Sequence, residues 1–343
     1  RATMDIGEPD LTGPRRSGAV LVTGGAGYIG SHTVLALRDA GRDVVVIDDL
    51  SNGDIAAVPG DVAFHRGDVA DAGLVREVIR GHGIGLVMHL AGSVSPPESL
   101  ERPLDYQRNN TTASQALAAA CVEAGVRRFI FSSSAAVYGR GGPRPFREDD
   151  DTDPLTPYGV SKLVTETMLR DLSASCPGFE AVSLRYFNVA GADPAGRAGR
   201  RGWAGAGLID RAVDVALGRC DRLDIWGDDY DTRDGAGERD YIHVSDVADV
   251  HLAAMRYLEG GGRDVVLNCA TGRGHTVLEV LAALEAIVGR RIPRRPGPRR
   301  VGDLASAVGD VDRLIATLGW RPRLDDLGLI LRSALAWRGR SRV

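Results

Sequence analysis

The sequence predicts an α/β fold: a doubly wound parallel sheet joined to a smaller, discontinuous second domain. Three observations predict it. Short apolar, β-rich runs recur over the first 190 residues, stretches of helical spacing alternate with them, and a glycine-rich turn joins the first run to the first helix. The runs are residues 19–23, 43–48, 62–68, 86–92, 128–134 and 180–188. Helical spacing fills the stretch from the glycine turn to about Ala40, then 103–125 and 157–175. Strands alternating with helices imply right-handed crossovers and a parallel sheet.

After Asn188 the pattern changes. Residues 190–206 are rich in Gly, Ala and Arg, lack a period, and are expected to form a mobile loop. A helix near 207–218 and a strand near 223–226 follow. The amphipathic stretch 242–258 is expected to return to the sheet domain, before a strand at 264–270 and a helix at 276–288. The division is therefore a tail at 1–16, a dinucleotide-binding (Rossmann) domain of 17–189 plus 237–269, and a substrate domain of 190–236 plus 270–343. The arginine-rich run 290–300 is expected to be a solvated surface.

Composition narrows the class. The chain has 343 residues, 43% hydrophobic and 26% charged, with a formal net charge of −4. That balance gives no reason to expect nucleic acid or membrane as partner. No apolar run approaches the roughly 18–20 residues that span a bilayer. Residues 1–16 have no apolar h-region and read as a disordered tail, not a secretory signal. Cys121, Cys176, Cys220 and Cys269 are scattered, as in free thiols of a cytoplasmic protein, and the seven His show no metal-ligand spacing. Of the 42 basic residues, 41 are Arg and one, Lys162, is Lys. Arg cannot imitate a compact ammonium that donates in three directions, so the position of that lysine is informative.

The turn Gly24-Gly25-Ala26-Gly27-Tyr28-Ile29-Gly30 follows a strand and opens a helix. There its glycines let backbone N–H groups approach a pyrophosphate. Asp48 ends the next strand, 18 residues beyond Gly30. A carboxylate there accepts from ribose hydroxyls and repels a 2′-phosphate, which favours NAD over NADP. The same position also suits a cap of the following turn. Asp68, ending the third strand, is placed to meet the adenine edge or to serve ordinary turn chemistry.

Tyr158-Gly-Val-Ser-Lys162 puts Tyr and Lys on one helical face. A tyrosine with pKa about 10 is a poor base at neutral pH, and lowering it by about 3 units takes about 4 kcal/mol. A neighbouring ammonium and a cationic nicotinamide ring supply energy of that order. Ser132-Ser133-Ser134 ends the fifth strand, with Ser134 lying 24 residues before Tyr158. Both groups therefore fall where parallel sheets bind ligands.

Together with VTGGAGYIGSHT at 22–33, FSSSAAVYG at 131–139, PYGVSK at 157–162, LRYFNVAGA at 184–192 and RDYIHV at 239–244, these elements resemble the extended short-chain dehydrogenase/reductase family, and within it the UDP-glucose 4-epimerases. The resemblance runs from about Ala19 to Trp337. It implies NAD contacts from Gly24, Gly27, Tyr28, Ile29, Gly30, Asp48, Asn52, Asp68, Val69, Leu90, Ala91, Gly92, Asn109, Tyr158, Lys162 and Phe187. Ser134, Tyr158 and Lys162 are then catalytic. Ser134, Asn188, Trp226, Arg239, Arg300, Asp303 and Ala307 would hold the nucleotide-sugar, with Trp226 beside the base. The position of Trp226 equally suits a core residue at a strand end.

The implied reaction is NAD-dependent epimerisation at C4 through a 4-keto sugar, with a homodimer as the implied assembly. Three positions depart from the family pattern: Val94 and Gly207 replace polar residues, and Ala307 is small where sugar size is gated, as in relatives that accept N-acetylhexosamines. Arg197, Arg200 and Arg201 either compensate for a lost phosphate contact or are solvated. Ala135 and Ala136 stand where related dehydratases and decarboxylases carry acids, which argues against those chemistries. An epimerase of a dTDP-hexose or UDP-uronate, and a non-catalytic NAD-binding regulator, remain the alternatives.

Overall fold

The computed structural model describes residues 18–140, 145–202, 205–300 and 302–340; the expected tail at 1–16 lies outside them. Seven parallel strands form the main sheet: β1 (Ala19–Thr23), β2 (Val44–Asp48), β3 (Ala63–Arg66), β4 (Ile84–His89), β5 (Arg128–Ser134), β6 (Glu180–Tyr186) and, late in the chain, Val265–Cys269. The order is Val265–Cys269, β6, β5, β4, β1, β2, β3. The reversal beside β1 is the switch point at which such sheets leave a crevice.

The strands are short and apolar because both faces are covered. On one face α1 (Tyr28–Asp39) packs with a helix at Val244–Glu259, burying Val20, Val22, Val46 and Met88. On the other, α2 (Ala72–His82) and a broken helix bury Leu21, Ile47, Val87 and Phe131. The broken helix comprises α3 (Pro96–Glu101), α4 (Pro103–Tyr106), a π turn at Gln107–Thr112 and α5 (Ala113–Glu123). α6 (Pro157–Ser175) has the expected bounds; Pro157 fixes its first turn and Thr156 caps it, accepting from Gly159 N at 3.2 Å.

A second apolar core gathers Ile209, Val213, Leu223, Leu281, Leu284 and Leu331. These come from α7 (Leu208–Ala216), β8 (Leu223–Trp226), α9 (Val277–Val288) and α11 (Leu327–Arg340). Between the two cores run β7 (Asn188–Ala190) and β9 (Glu238–His243), paired in parallel; β9 leads into α8 (Val244–Glu259), and β10 is the seventh main-sheet strand, Val265–Cys269. β11 (Gly274–Thr276) and β13 (Ser306–Ala307) flank β9. α10 (Asp312–Leu318) falls in the expected second domain, yet its Leu314 joins the core on the main sheet.

Two expectations are corrected here. The stretch 190–206 is not all loop, since its first residue ends β7, and Arg197 ties the following turn to Asp193 and Asp39. The run 290–300 is not only solvated surface: β12 (Arg294–Gly297) pairs in parallel with β8. Its sequence, Arg-Arg-Pro-Gly, disguised that strand.

Candidate active site

The carboxyl ends of β1, β2, β4, β5 and β6 open onto a cavity of about 510 Å³. The glycine turn forms one wall. Gly24 has φ +70°, and a Cβ there would come within 2.6 Å of Ala91 N; a Cβ on Gly30 would lie 2.0 Å from the Gly24 oxygen. Backbone therefore packs on backbone with no room for side chains. Gly27 is the N-cap of α1 and no side chain caps it, so the first N–H groups of the helix remain for an anion.

Asp48 caps the turn and also faces the cavity. It accepts from Ala26 N at 2.9 Å and from Leu50 N at 2.8 Å, tying the glycine turn to the turn after β2. Burial pushes its pKa up and those two N–H groups pull it back. The carboxylate still lines the cavity with lone pairs for hydroxyl donors. Asp68 accepts from Ala70 N at 2.9 Å, the ordinary turn bond, while facing the same space. Tyr28, Ile29, Asn52, Val69, Leu90, Ala91, Gly92, Asn109 and Phe187 complete this wall.

The π turn directs two asparagines differently. Asn109 donates to Ser93 Oγ at 2.9 Å on the cavity side. Asn110 points inward, accepting from Ser93 N at 2.7 Å and reaching Ser161 Oγ at 3.1 Å, which donates to the Tyr158 carbonyl at 2.7 Å. Behind them His89 lies 2.8 Å from Thr23 Oγ1 and 2.8 Å from Ser114 Oγ, and Ser114 bonds the Asn110 carbonyl. Burial, aided by the Lys162 charge, pulls His89 down to about 3, so the ring is neutral, as a relay between two hydroxyls requires. An unbroken polar chain thus joins β1 to the helix that carries Tyr158.

Tyr158 and Lys162 share the buried face of α6. The Lys162 ammonium donates to the Ser132 carbonyl at 2.9 Å and lies 5.8 Å from the centre of the Tyr158 ring. Burial pulls Lys162 down to about 8, and Glu166 one turn on opposes this, leaving a cation at pH 7. Glu166 is itself fixed by Arg185, at 3.0 and 2.7 Å, and by Ser133. Burial pushes the Tyr158 phenol up, and its hydrogen bond with Ser134 pulls it down. The phenol is therefore protonated at neutral pH until positive charge nearby favours the phenolate.

Ser134, Asn188, Arg239, Asp303 and Ala307 line the far part of the cavity. Arg239 is paired with Asp303 and donates to the Glu238 carbonyl at 2.7 Å. Trp226 and Arg300 are not brought to the lining; the guanidinium of Arg300 stacks on the Trp226 ring at 4.7 Å. Trp226 is 36% exposed, which excludes the core alternative for it. Val94 and Gly207 both face the cavity.

Sequence reasoning missed Tyr186, whose position at the end of β6 was the available signal, and gave Ser132 no role of its own within the serine run. It left Arg200 and Arg201 undecided, and both form wall.

The model of the NAD-dependent epimerase/dehydratase family matches residues 20–270. UDP-glucose 4-epimerase of Azospirillum brasilense is 51% identical over 318 residues, 93% of this chain and 91% of the relative. The crystal structure of a Stenotrophomonas maltophila UDP-glucose 4-epimerase, with bound NAD and formylated UDP-arabinopyranose, superposes with a TM-score of 0.91 at 39% identity, covering 94% of this chain and 98% of that one. The UDP-Glc/GlcNAc 4-epimerase of Campylobacter jejuni has a TM-score of 0.82 at 37% identity, covering 94% and 100%.

Proposed function

This chain belongs to the NAD-dependent epimerase/dehydratase family, and we propose that it interconverts the C4 epimers of a nucleotide-sugar, UDP-glucose and UDP-galactose, through a transient 4-ketone. The observation that carries the proposal is the convergence of Ser134, Tyr158 and Lys162 on one cavity with the glycine turn and Asp48. The side-chain-free turn, the uncapped start of α1 and the buried Asp48 carboxylate fit a dinucleotide with unphosphorylated ribose hydroxyls. When bound, NAD supplies a reversible acceptor for the C4 hydride.

The chain's own residues do the proton chemistry. Tyr158 takes the proton from the sugar 4-hydroxyl and later returns it. Lys162 stabilises the phenolate, and the Ser132 carbonyl with Glu166 keeps its ammonium in place. Ser134 holds the sugar oxygen by a hydrogen bond. Ala135 and Ala136 beside Ser134 offer no acid or base for loss of water, which favours epimerisation over dehydration. Arg239 binds the diphosphate, with Asp303 orienting its fork. Ala307, on β13 beside Arg239, leaves room for an N-acetyl group. Separate apolar cores support a division into a dinucleotide-binding and a substrate-binding domain, with α10 crossing it through Leu314.

We place the protein in the cytoplasm as a homodimer. Its four cysteines are free, and no helix among the described residues is long and apolar enough to cross a membrane. Leu100, Leu104, Val160 and Val164 are exposed on α3, α4 and α6, which pack together, and Leu104 is 82% exposed. Such an apolar patch suits a second copy of the chain. Leu104→Lys with Val164→Lys should shift the sedimentation coefficient to that of a monomer; an unchanged value removes this face from the assembly.

The functional test is incubation with UDP-glucose, UDP-N-acetylglucosamine, UDP-glucuronate and dTDP-glucose in turn, with chromatographic separation of C4 epimers. Conversion of UDP-glucose to UDP-galactose supports the proposal. Conversion of only the uronate or the dTDP-sugar moves the assignment to that substrate, and no conversion of any leaves a nucleotide-binding regulator.

A further inference from the structure

A row of opposite charges runs along the buried seam between α7 and α11 and ends at the cavity. Arg200 pairs with Asp210 at 2.9 Å, Asp210 approaches Arg338 at 4.0 Å, Arg338 bonds Asp214 at 2.8 Å, and Asp214 approaches Arg219 at 3.5 Å. Within this row three arginines face two aspartates, so it carries one more positive than negative charge. Its cavity end is Arg200, whose side chain is only 11% exposed and lines the site.

Arg200 is held on two sides. Its guanidinium lies 4.0 Å above the Tyr28 ring, whose hydroxyl donates to the Gly191 carbonyl at 2.6 Å. Its Nε meets the same Asp210 oxygen that accepts from Gly207 N at 3.2 Å. Gly207 is the N-cap of the nine-residue α7, has no side chain to fill the space before it, and lines the cavity. A planar, permanently charged group is thus fixed next to a helix N-terminus at the wall of the cavity. Arg239, which also lines the cavity, is matched by Asp303 as Arg200 is by Asp210, so the two charges of a diphosphate call for both cations.

We infer that Arg200 binds the diphosphate of the nucleotide-sugar, taking the place that a polar side chain at Gly207 would otherwise fill. This rests on the proposed activity and names a residue of the same site. Tyr28 couples the contact to the glycine turn, so the guanidinium is fixed by cofactor-side backbone while it meets substrate.

The test is calorimetric titration of the NAD-loaded protein with UDP, UMP and uridine, in wild type and in Arg200→Met, Arg200→Lys and Asp210→Asn. In Arg200→Met, UDP should bind about ten- to hundredfold more weakly, the factor expected of a charge-assisted hydrogen bond. Uridine affinity and NAD content should be unchanged, and Arg200→Lys should recover part of the loss. Asp210→Asn breaks the ion pair but should leave UDP binding equal or tighter. An equal loss for uridine and UDP, or an Asp210→Asn protein that behaves like Arg200→Met, would make Arg200 a packing residue and overturn the inference. So would loss of NAD with an unchanged UDP-to-uridine ratio. Wild type that bound dTDP instead of UDP would sink the uridine assignment alone, and the same ratio, taken with dTDP and thymidine, would still decide the role of Arg200. Wild type that bound neither would remove both.

Discussion

Replacing Lys162 by Met removes the charge assigned to Tyr158 while keeping a chain of similar length. At 5.8 Å from the ring centre, and with an effective dielectric constant of about 20, one ammonium stabilises a phenolate by about 3 kcal/mol. That corresponds to about 2 pKa units. Activity requires the phenolate, so it rises as pH passes through the Tyr158 pKa. Without Lys162 that pKa rises, and the acid limb of kcat/KM should move about 2 units towards alkali, with a loss of about a hundredfold at pH 7. The wild-type profile should also fall as pH rises through about 8, where the buried ammonium loses its proton. The assay is kcat/KM for epimerisation between pH 5.5 and 9.5, at about unit steps, with NAD content measured in parallel. Lys162→Arg keeps the charge, but a planar guanidinium cannot occupy the slot set by the Ser132 carbonyl 2.9 Å away, so it too should lose activity. An acid limb that stays in place in Lys162→Met would refute the electrostatic role. Near-normal activity in Lys162→Arg would show that the single lysine is there by accident.

Tyr158→Phe should lower kcat by at least about a hundredfold, the low end for loss of an acid–base group, while the protein still carries NAD in its absorbance spectrum; comparable turnover would displace Tyr158 from the chemistry. Ala307→Tyr fills the end of the cavity and should depress kcat/KM for UDP-N-acetylhexosamines more than for UDP-hexoses, and an unchanged ratio would remove Ala307 from sugar selection. Acid stability provides a separate check. Burial lowers His32, His243 and His251 to about 4 in the folded protein, below their ordinary value, so their contribution is present above about 6.5 and is lost as pH falls towards about 4. Each costs about 2 kcal/mol at pH 5 by this linkage, so the urea midpoint should drop between pH 7 and 5, and a flat midpoint would contradict it. His251→Gln should shallow that fall, since the Nε2 of His251 lies 2.7 Å from the Tyr186 hydroxyl and is neutral there.

The main sheet was legible in the sequence because its strands are buried on both faces and read as unbroken apolar runs between turns. The glycine turn and the pair Tyr158 and Lys162 were legible because close backbone approach and a shared helical face impose residue type and spacing. β7, β11 and β13 were obscured by their shortness, β9 by its charged, polar start, and the pairing of these strands is set by distant partners: Arg239 lies opposite His275 on one side and Ala307 on the other. β12 was hidden by its composition. The π turn gives no periodic signal, yet it separates the roles of Asn109 and Asn110.

Arg200 shows the limit most clearly. Its loop has no period, and only the fold brings Tyr28, Asp210 and Gly207 around it. Conversely, the roles expected of Trp226 and Arg300 came from the family resemblance, while the fold stacks the two on each other outside the cavity lining.

In the proposed reaction the C4 hydride leaves the sugar and returns to C4 without exchanging with solvent. UDP-galactose carrying deuterium at C4, incubated with the purified protein and no added cofactor, tests it most directly. The account predicts UDP-glucose that retains the deuterium at C4, read by mass spectrometry and proton NMR. UDP-glucose that has exchanged the label for solvent hydrogen, or no UDP-glucose at all, would contradict it.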